Sequence, residues 1–267
     1  MNTNRTDLAF EAISSQSADG ADIRKTRING LLLTEIRLDK NNPVGKPGGF
    51  YITLHCGTRD ERAESNALSH ALKALIPSMG KILVAGLGNV NITPDSLGVR
   101  AVSRVVATAH LAENNEFKEL GMREVFSVEP GVLAQTGIES GEQLKFIIDG
   151  IKPVMAVVID SLACAEPERL GRIIQITDTG IAPGSGVGNA RHEISKQTLG
   201  IPVIAIGVPT VIDLSSIAPN IGKTCEAMVV PRDIDVMISH FAKVVARTVN
   251  RVLLPMLTEN EIEKLRF

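Results

Sequence analysis

The sequence predicts an α/β protein in three layers, with a mainly parallel central sheet and helices on both faces. Short runs rich in β-branched residues alternate along the 267-residue chain with stretches of helical periodicity. Several of these runs are apolar throughout, as expected for strands that are buried on both faces. Hydrophobic residues make up 44% of the chain, which is sufficient for a large core.

The strand-like runs are short and β-rich. They are residues 50–56, 81–85, 124–128, 154–159, 173–176, 203–208 and 227–230. Helical stretches between such runs are typical of βαβ units, whose strands lie parallel. We see no internal repeat and no low-complexity tract, so a single domain is expected.

Helical periodicity is clearest in three stretches, residues 62–76, 96–111 and 233–254. The last stretch places apolar residues along one stripe, with Asp233 as its expected N-cap and Pro255 near its end. The first dozen residues are expected to form a polar lead-in.

Composition argues against nucleic-acid and membrane partners. The formal net charge is −2, and the chain has no Trp and a single Tyr, so neither a phosphate-binding surface nor a base-stacking platform is expected. The chain has three cysteines, Cys56, Cys164 and Cys225, and no two of them form a CxxC pair. This spacing favours reduced thiols. The N-terminus lacks the apolar stretch of a signal peptide, so we expect a cytoplasmic location.

Ligands of open α/β sheets bind beyond the carboxyl ends of the strands. Asp95 lies in the loop GLGNVNITPDSLG after one strand, where partial burial would tune the pKa of its carboxyl group. Alternatively, Asp95 caps the helical stretch that follows it. The sequence alone favours the cap, and the two roles are compatible.

Asp160 directly follows the apolar run 154–159, so an ionisable side chain is expected at the end of a buried strand. A structural turn or cap is the alternative interpretation. Two such carboxyl groups can share a proton, so that one activates water while the other acts as an acid.

Other motifs carry less weight. Asp178-Thr179-Gly180 matches the triplet of pepsin-like proteases, but a turn is the better interpretation in a non-β architecture. The glycine-rich stretch after it could lie along a substrate. No two histidines have metal-ligand spacing, and His110 is the one histidine that we place near the site, with helix surface as the favoured alternative. We expect no metal and no cofactor.

Several long motifs resemble the spore germination protease family. They are GLGNVNITPDSLG, VEPGVLAQTGIE, VVIDSLA, IIQITDTGIAPGSGVGNARHEIS and TLGIPVIAIGVPTVID. The resemblance runs in order from about Arg5 to Asp213 and resumes in the C-terminal helix. The residues between Asp213 and that helix form a short segment where many family members carry an insertion.

The resemblance implies an aspartic-type endopeptidase with a fold like that of hydrogenase-maturation proteases. It implies cleavage of small acid-soluble spore proteins, which coat spore DNA, at the start of germination. The expected location is therefore the cytoplasm of the forespore, or spore core. The family's proposed catalytic aspartates correspond to Asp95 and Asp160. A homo-oligomer is the implied assembly.

The resemblance also implies a zymogen that processes itself. Arg5-Thr6-Asp7-Leu8-Ala9 matches the family's self-cleavage sequence, so cleavage is expected between Asp7 and Leu8. Residues 1–7 are then the propeptide and residues 8–267 a single α/β peptidase domain. Two alternatives to this enzyme remain open: a metal-centred carboxylate site, and a spore protein that binds the same partners without cleaving them.

Overall fold

A mixed β-sheet lies at the centre of the computed structural model, which describes residues 6–14, 20–57, 59–188, 191–222 and 227–265. The strands within these ranges are β1 (Ala21–Ile28), β2 (Leu31–Leu38), β3 (Gly49–His55), β4 (Ile82–Gly86), β5 (Val125–Val128), β6 (Met155–Cys164), β7 (Ile173–Thr177), β8 (Val203–Asp213) and β9 (Met228–Val229). Each run predicted as a strand overlaps one of these strands.

The strand order is β1-β2-β3-β7-β8-β6-β4-β5, and β9 pairs with β8. The strands β8, β6, β4 and β5 are mutually parallel, and an antiparallel wing of β7, β3, β2 and β1 extends this centre. Across the described sheet, β1, β3, β4, β5, β6 and β8 run in one direction. The predicted mainly parallel sheet is confirmed, and the β1–β2 hairpin is an addition that the sequence analysis did not predict.

Helices cover both faces of the sheet. They are α1 (Ala9–Ser14), α2 (Glu61–Lys73), α3 (Leu97–Val102), α4 (Asn115–Glu119), α5 (Leu133–Thr136), α6 (Ser140–Ile151), α7 (Lys196–Leu199), α8 (Leu214–Ile217), α9 (Pro219–Gly222), α10 (Ile234–Leu253) and α11 (Glu259–Lys264). Apolar residues of α2, α3 and α10 form one core cluster with the sheet, and those of α6 and α7 form a second. The predicted three-layer α/β class is therefore confirmed.

Helix α10 is anchored by the predicted apolar stripe. Ile238, Phe241, Val245 and Val249 are all buried against the sheet-facing core. Burying one such side chain contributes about 1.5–3 kcal/mol relative to leaving it exposed. Asp233 occupies the N-cap position, but its side chain makes no capping hydrogen bond and instead accepts one from Arg59.

The predicted helix over residues 96–111 is wrong in extent. Helix α3 ends at Val102, and only a single 3-10 turn, Ala109–Leu111, follows. The Asn250 side chain accepts a hydrogen bond from Val106 N at 2.9 Å and donates one to Arg104 O at 2.9 Å. These bonds satisfy backbone groups outside the helix, which allows the chain to leave it.

The N-terminal segment is packed rather than a polar lead-in. Leu8 and Ala9 are fully buried, and Ile13 lies in an apolar cluster with β2 and β3. Residues 1–5 of the predicted propeptide lie outside the described residues, as does Cys225, whereas Cys56 and Cys164 are free, buried thiols. No helix within the described ranges is both long and apolar enough to cross a membrane.

Candidate active site

Asp95 lies in the loop that leaves β4, on a 3-10 turn spanning Thr93–Asp95. Its Oδ2 accepts a hydrogen bond from Asn89 N at 2.8 Å, so the carboxyl group links two parts of the loop that follows β4. The favoured N-cap interpretation is wrong, because Ser96 occupies the N-cap position of α3. Burial raises the pKa of Asp95, and the bond from Asn89 opposes that shift.

Asp160 lies inside β6 rather than after its end, so the predicted strand was too short. The last register pair between β4 and β6 joins Gly86 to Ile159, which makes Asp160 the first residue of β6 beyond the end of β4. Asp160 therefore lies at the carboxyl end of the neighbouring strand, next to the loop that carries Asp95. The side chain is 4% exposed, and its Oδ1 accepts a hydrogen bond from Ser161 N at 2.8 Å.

A close approach of α3 to β6 holds the two aspartates at this edge. A Cβ on Gly98 would lie 2.2 Å from Ile159 O and 2.4 Å from Leu87 O, so any larger residue would force the helix away from the strand. Thr210 of β8 also donates a hydrogen bond to Pro94 O at 2.7 Å, which ties the Asp95 loop to the sheet.

The carboxyl groups at this edge influence one another. Burial raises the pKa of Asp160 well above its usual value, the negative charge of Asp95 raises it further, and Asp7 adds to the effect. The hydrogen bond from Ser161 acts in the opposite direction. The structure thus brings Asp7, Asp95 and Asp160 within electrostatic reach, and the pKa of Asp160 is raised more strongly than that of Asp95.

Asp7, the residue before the predicted cleavage point, is fixed in a carboxylate-binding pocket. Ser185 Oγ donates a hydrogen bond to Asp7 Oδ1 at 2.5 Å, and Ala163 N donates one to Oδ2 at 2.8 Å. A Cβ on Gly186 would lie 2.4 Å from Oδ2, so this close approach requires glycine. The glycine-rich stretch therefore contacts the N-terminal segment of the chain itself.

A small cavity of about 160 Å³ adjoins this pocket. Its lining includes Asp7, Lys46, Gln175 and Gly207, and Gly207 is the register partner of Asp160. Lys46 Nζ donates a hydrogen bond to Thr6 O at 2.8 Å. Burial lowers the pKa of Lys46, and the nearby Asp7 and Glu11 oppose that shift.

Sequence reasoning missed Lys46 and Gln175, and it included Ser185 only in the glycine-rich stretch that could lie along a substrate. They lie on a loop, on β7 and on a 3-10 turn that the sheet topology brings together, and no spacing in the sequence links them.

The other candidates lie outside the proposed site. Asp178, which the sequence analysis assigned to a turn, has its Oδ1 hydrogen-bonded to Phe50 N at 2.7 Å. His110 is exposed on its 3-10 turn. Within the described ranges, no three His, Cys, Asp or Glu side chains converge as a metal site.

We expect Asp160→Asn to stabilise the fold at neutral pH. A carboxyl group whose pKa is raised on folding binds its proton more tightly in the native state, so the free energy of unfolding falls as pH rises above about 3.8. Asparagine keeps the acceptor for Ser161 N and removes the buried charge. In urea unfolding at pH 7 the variant should exceed the wild type, and the difference should vanish in acid. Equal or lower stability of the variant at pH 7 would contradict the buried charge.

The chain is similar to known germination proteases over most of its length. The family model described as germination protease matches residues 2–224. The germination protease of Caldanaerobacter subterraneus subsp. tengcongensis is 38% identical, and the match covers 98% of this chain and 97% of that protein. The Bacillus cereus germination protease (strain 03BB102) is also 38% identical, with 90% and 68% covered.

A solved structure gives a more distant match. The [NiFe] hydrogenase maturation protease HycI from Thermococcus kodakarensis KOD1 superposes with a TM-score of 0.43 at 18% identity, over 68% of this chain and 98% of that one. The family match and the 38% identity over nearly the full chain confirm the resemblance found in the sequence motifs. The chain therefore belongs to the germination protease family, and it is a peptidase.

Proposed function

We propose that this peptidase initiates the degradation of small acid-soluble spore proteins during germination, using Asp95 and Asp160 to activate water. The observation that carries this proposal is the buried Asp160, whose raised pKa responds to the Asp95 charge at the carboxyl end of β4. Perturbed carboxyl groups that influence one another are typical of acid–base sites. The reaction requires no cofactor, and the expected compartment is the spore core.

The two carboxyl groups take different roles in this mechanism. Asp160 is the more deeply buried and holds the shared proton, whereas Asp95, with its hydrogen bond from Asn89, is ionised and accepts a proton from water. The water oxygen bonds to the peptide carbonyl carbon. Asp160 then protonates the departing amine as the C–N bond breaks, and the products are a carboxyl and an amino terminus.

Asp7 supports the proposed self-processing between Asp7 and Leu8. Its carboxylate is held by Ser185 and Ala163, and its charge acts on Asp160. An acidic residue of this chain therefore already lies beside the aspartate pair. Residues 1–7 as propeptide and residues 8–267 as the peptidase domain follow from this proposal.

Incubation of the purified protein with a small acid-soluble spore protein tests the proposed function. Discrete fragments, absent with Asp160→Asn, are the expected result. An intact substrate that co-purifies with the chain would instead support the alternative of a binding protein without activity. Size-exclusion chromatography of the same purified protein measures whether it forms a homo-oligomer.

We further expect cleavage to survive exhaustive chelation. Because the described residues provide no converging set of three ligands, the proposed chemistry depends on carboxyl groups alone. The rate of fragment formation after dialysis against chelator should equal that of an untreated control whose fold is verified by circular dichroism. Loss of cleavage that one divalent metal specifically restores would favour the metal-centred alternative.

A further inference from the structure

Gln175 lies in the same row of the sheet as Asp160. In the β7–β8 pair Gln175 faces Gly207, and in the β6–β8 pair Asp160 faces the same Gly207. Side chains of register partners point to the same face of a sheet, so Gln175 and Asp160 flank Gly207 on one face. Their Cα atoms are two strand spacings apart, about 10 Å.

The space between these two side chains is apolar. Gly207 has no side chain, and Leu162 leans over it, since a Cβ on Gly207 would lie 2.5 Å from Leu162 Cδ1. Leu162, Gly207 and Gln175 all line the small cavity beside Asp7. Leu162 fills the space over Gly207, so a peptide in the cavity meets the Gln175 amide on its wall.

The Gln175 amide contacts the N-terminal segment through both of its ends. Its Oε1 accepts a hydrogen bond from Ala9 N at 3.0 Å, and its Nε2 lies 3.5 Å from Asp7 O, which is its acceptor among the described residues. The side chain is 5% exposed. Asp7 O is the carbonyl oxygen of the bond proposed for self-cleavage, so a buried N–H donor points at the group that would be attacked.

We propose that Gln175 stabilises the oxyanion formed when water attacks the scissile carbonyl. As the water oxygen bonds to the carbonyl carbon, the carbonyl π electrons move to the oxygen, and the long contact from Nε2 can shorten onto that charge. When the C–N bond breaks, the carbonyl reforms and the amine leaves with the proton from Asp160. A donor of this kind typically contributes about 100- to 1,000-fold to the rate.

This inference rests on the proposed function, and the test separates the two. Self-processing of the full chain at Asp7–Leu8 is followed by intact mass across a pH series, with each variant rate divided by the wild-type rate at the same pH. Gln175→Glu keeps the acceptor for Ala9 N but loses the donor when the new carboxyl group is ionised. We expect processing to slow roughly 100- to 1,000-fold near neutral pH.

The pH series distinguishes oxyanion stabilisation from a structural role. Once protonated, the carboxyl group introduced by Gln175→Glu can again donate, so the relative rate of this variant should recover as pH falls. The matched control is Thr53→Val: Thr53 is the fully buried register partner of Gln175 on β3, and its hydroxyl has no hydrogen-bond partner in the described structure. This control should process at the wild-type rate.

Several outcomes would overturn the inference. One is a wild-type rate for Gln175→Glu, and another is a defect of equal size at every pH. If the buried charge prevents Gln175→Glu from folding, Gln175→Met removes donor and acceptor without a charge, and a folded Gln175→Met variant with the wild-type rate would also overturn it. Processing by Asp160→Asn, or none by the wild type, would instead contradict the proposed function.

Discussion

Asp160→Asn is expected to abolish peptide cleavage while the fold remains intact. Asparagine has nearly the same shape and keeps the acceptor for Ser161 N, but it cannot give a proton to the leaving amine. Loss of one member of an acid–base unit removes most of its rate enhancement, typically about 10⁴-fold or more. Initial rates of fragment formation from a small acid-soluble spore protein measure the effect.

A matched control for this experiment is Asp178→Asn, which changes an aspartate outside the proposed pair. Asp178 follows β7, which runs antiparallel to β6 and β8, and its Oδ1 accepts a hydrogen bond from Phe50 N, so this control tests whether loss of an aspartate elsewhere on the sheet impairs the enzyme. The control should retain most of its activity. A folded Asp160→Asn protein with near-wild-type turnover would remove Asp160 from the mechanism.

The second large effect concerns self-processing. Under mild acidification and partial dehydration, conditions that mimic the expected spore setting, the processed chain should begin at Leu8. Asp7→Asn should slow this reaction by about 10- to 100-fold. The two carboxylate oxygens accept hydrogen bonds from Ser185 and Ala163, whereas an amide has only one oxygen to accept them. A hydrogen bond to a charged group contributes about 1.5–3 kcal/mol.

Intact mass over time gives the processing rate, and Asp22→Asn on the exposed face of β1 provides a charge-matched control. The control should process like the wild type, and Asp160→Asn should remain full length. Cleavage at the same bond in Asp160→Asn would remove the support for self-processing by the proposed pair. An unchanged rate in Asp7→Asn would show that the Ser185 pocket does not govern processing.

The central strands were predictable because burial on both faces leaves a simple apolar signature. The hairpin of β1 and β2 was not, because β1 is exposed along almost its whole length and carries charged residues typical of loops. Its strand conformation comes from backbone pairing with β2, which side-chain periodicity does not report. The N-terminal segment was likewise mistaken for a polar lead-in, because its charged residues suggested exposure. Glu11 is in fact buried, and its carboxylate accepts hydrogen bonds from Ala165 N and Glu166 N.

The aspartates could be chosen from the sequence because Asp160 directly follows one apolar run and Asp95 lies in the loop after another. The polar Asp160 itself made β6 seem to end too early, and Thr93-Pro94 made Asp95 resemble a helix cap. The partners of Asp7 left no such signal. Ser185 and Gln175 meet the N-terminal segment only through sheet topology, over more than 160 positions of sequence.

A double-variant comparison tests the central claim, that Asp95 and Asp160 act as one unit, most directly. Cleavage rates of the wild type, Asp95→Asn, Asp160→Asn and the double variant are measured on one small acid-soluble spore protein. Because a proton-sharing pair fails when either member is lost, each single variant should lose most of the activity and the double variant should be no slower than either. Losses that multiply in the double variant, or a single variant with near-wild-type activity, would contradict the shared mechanism.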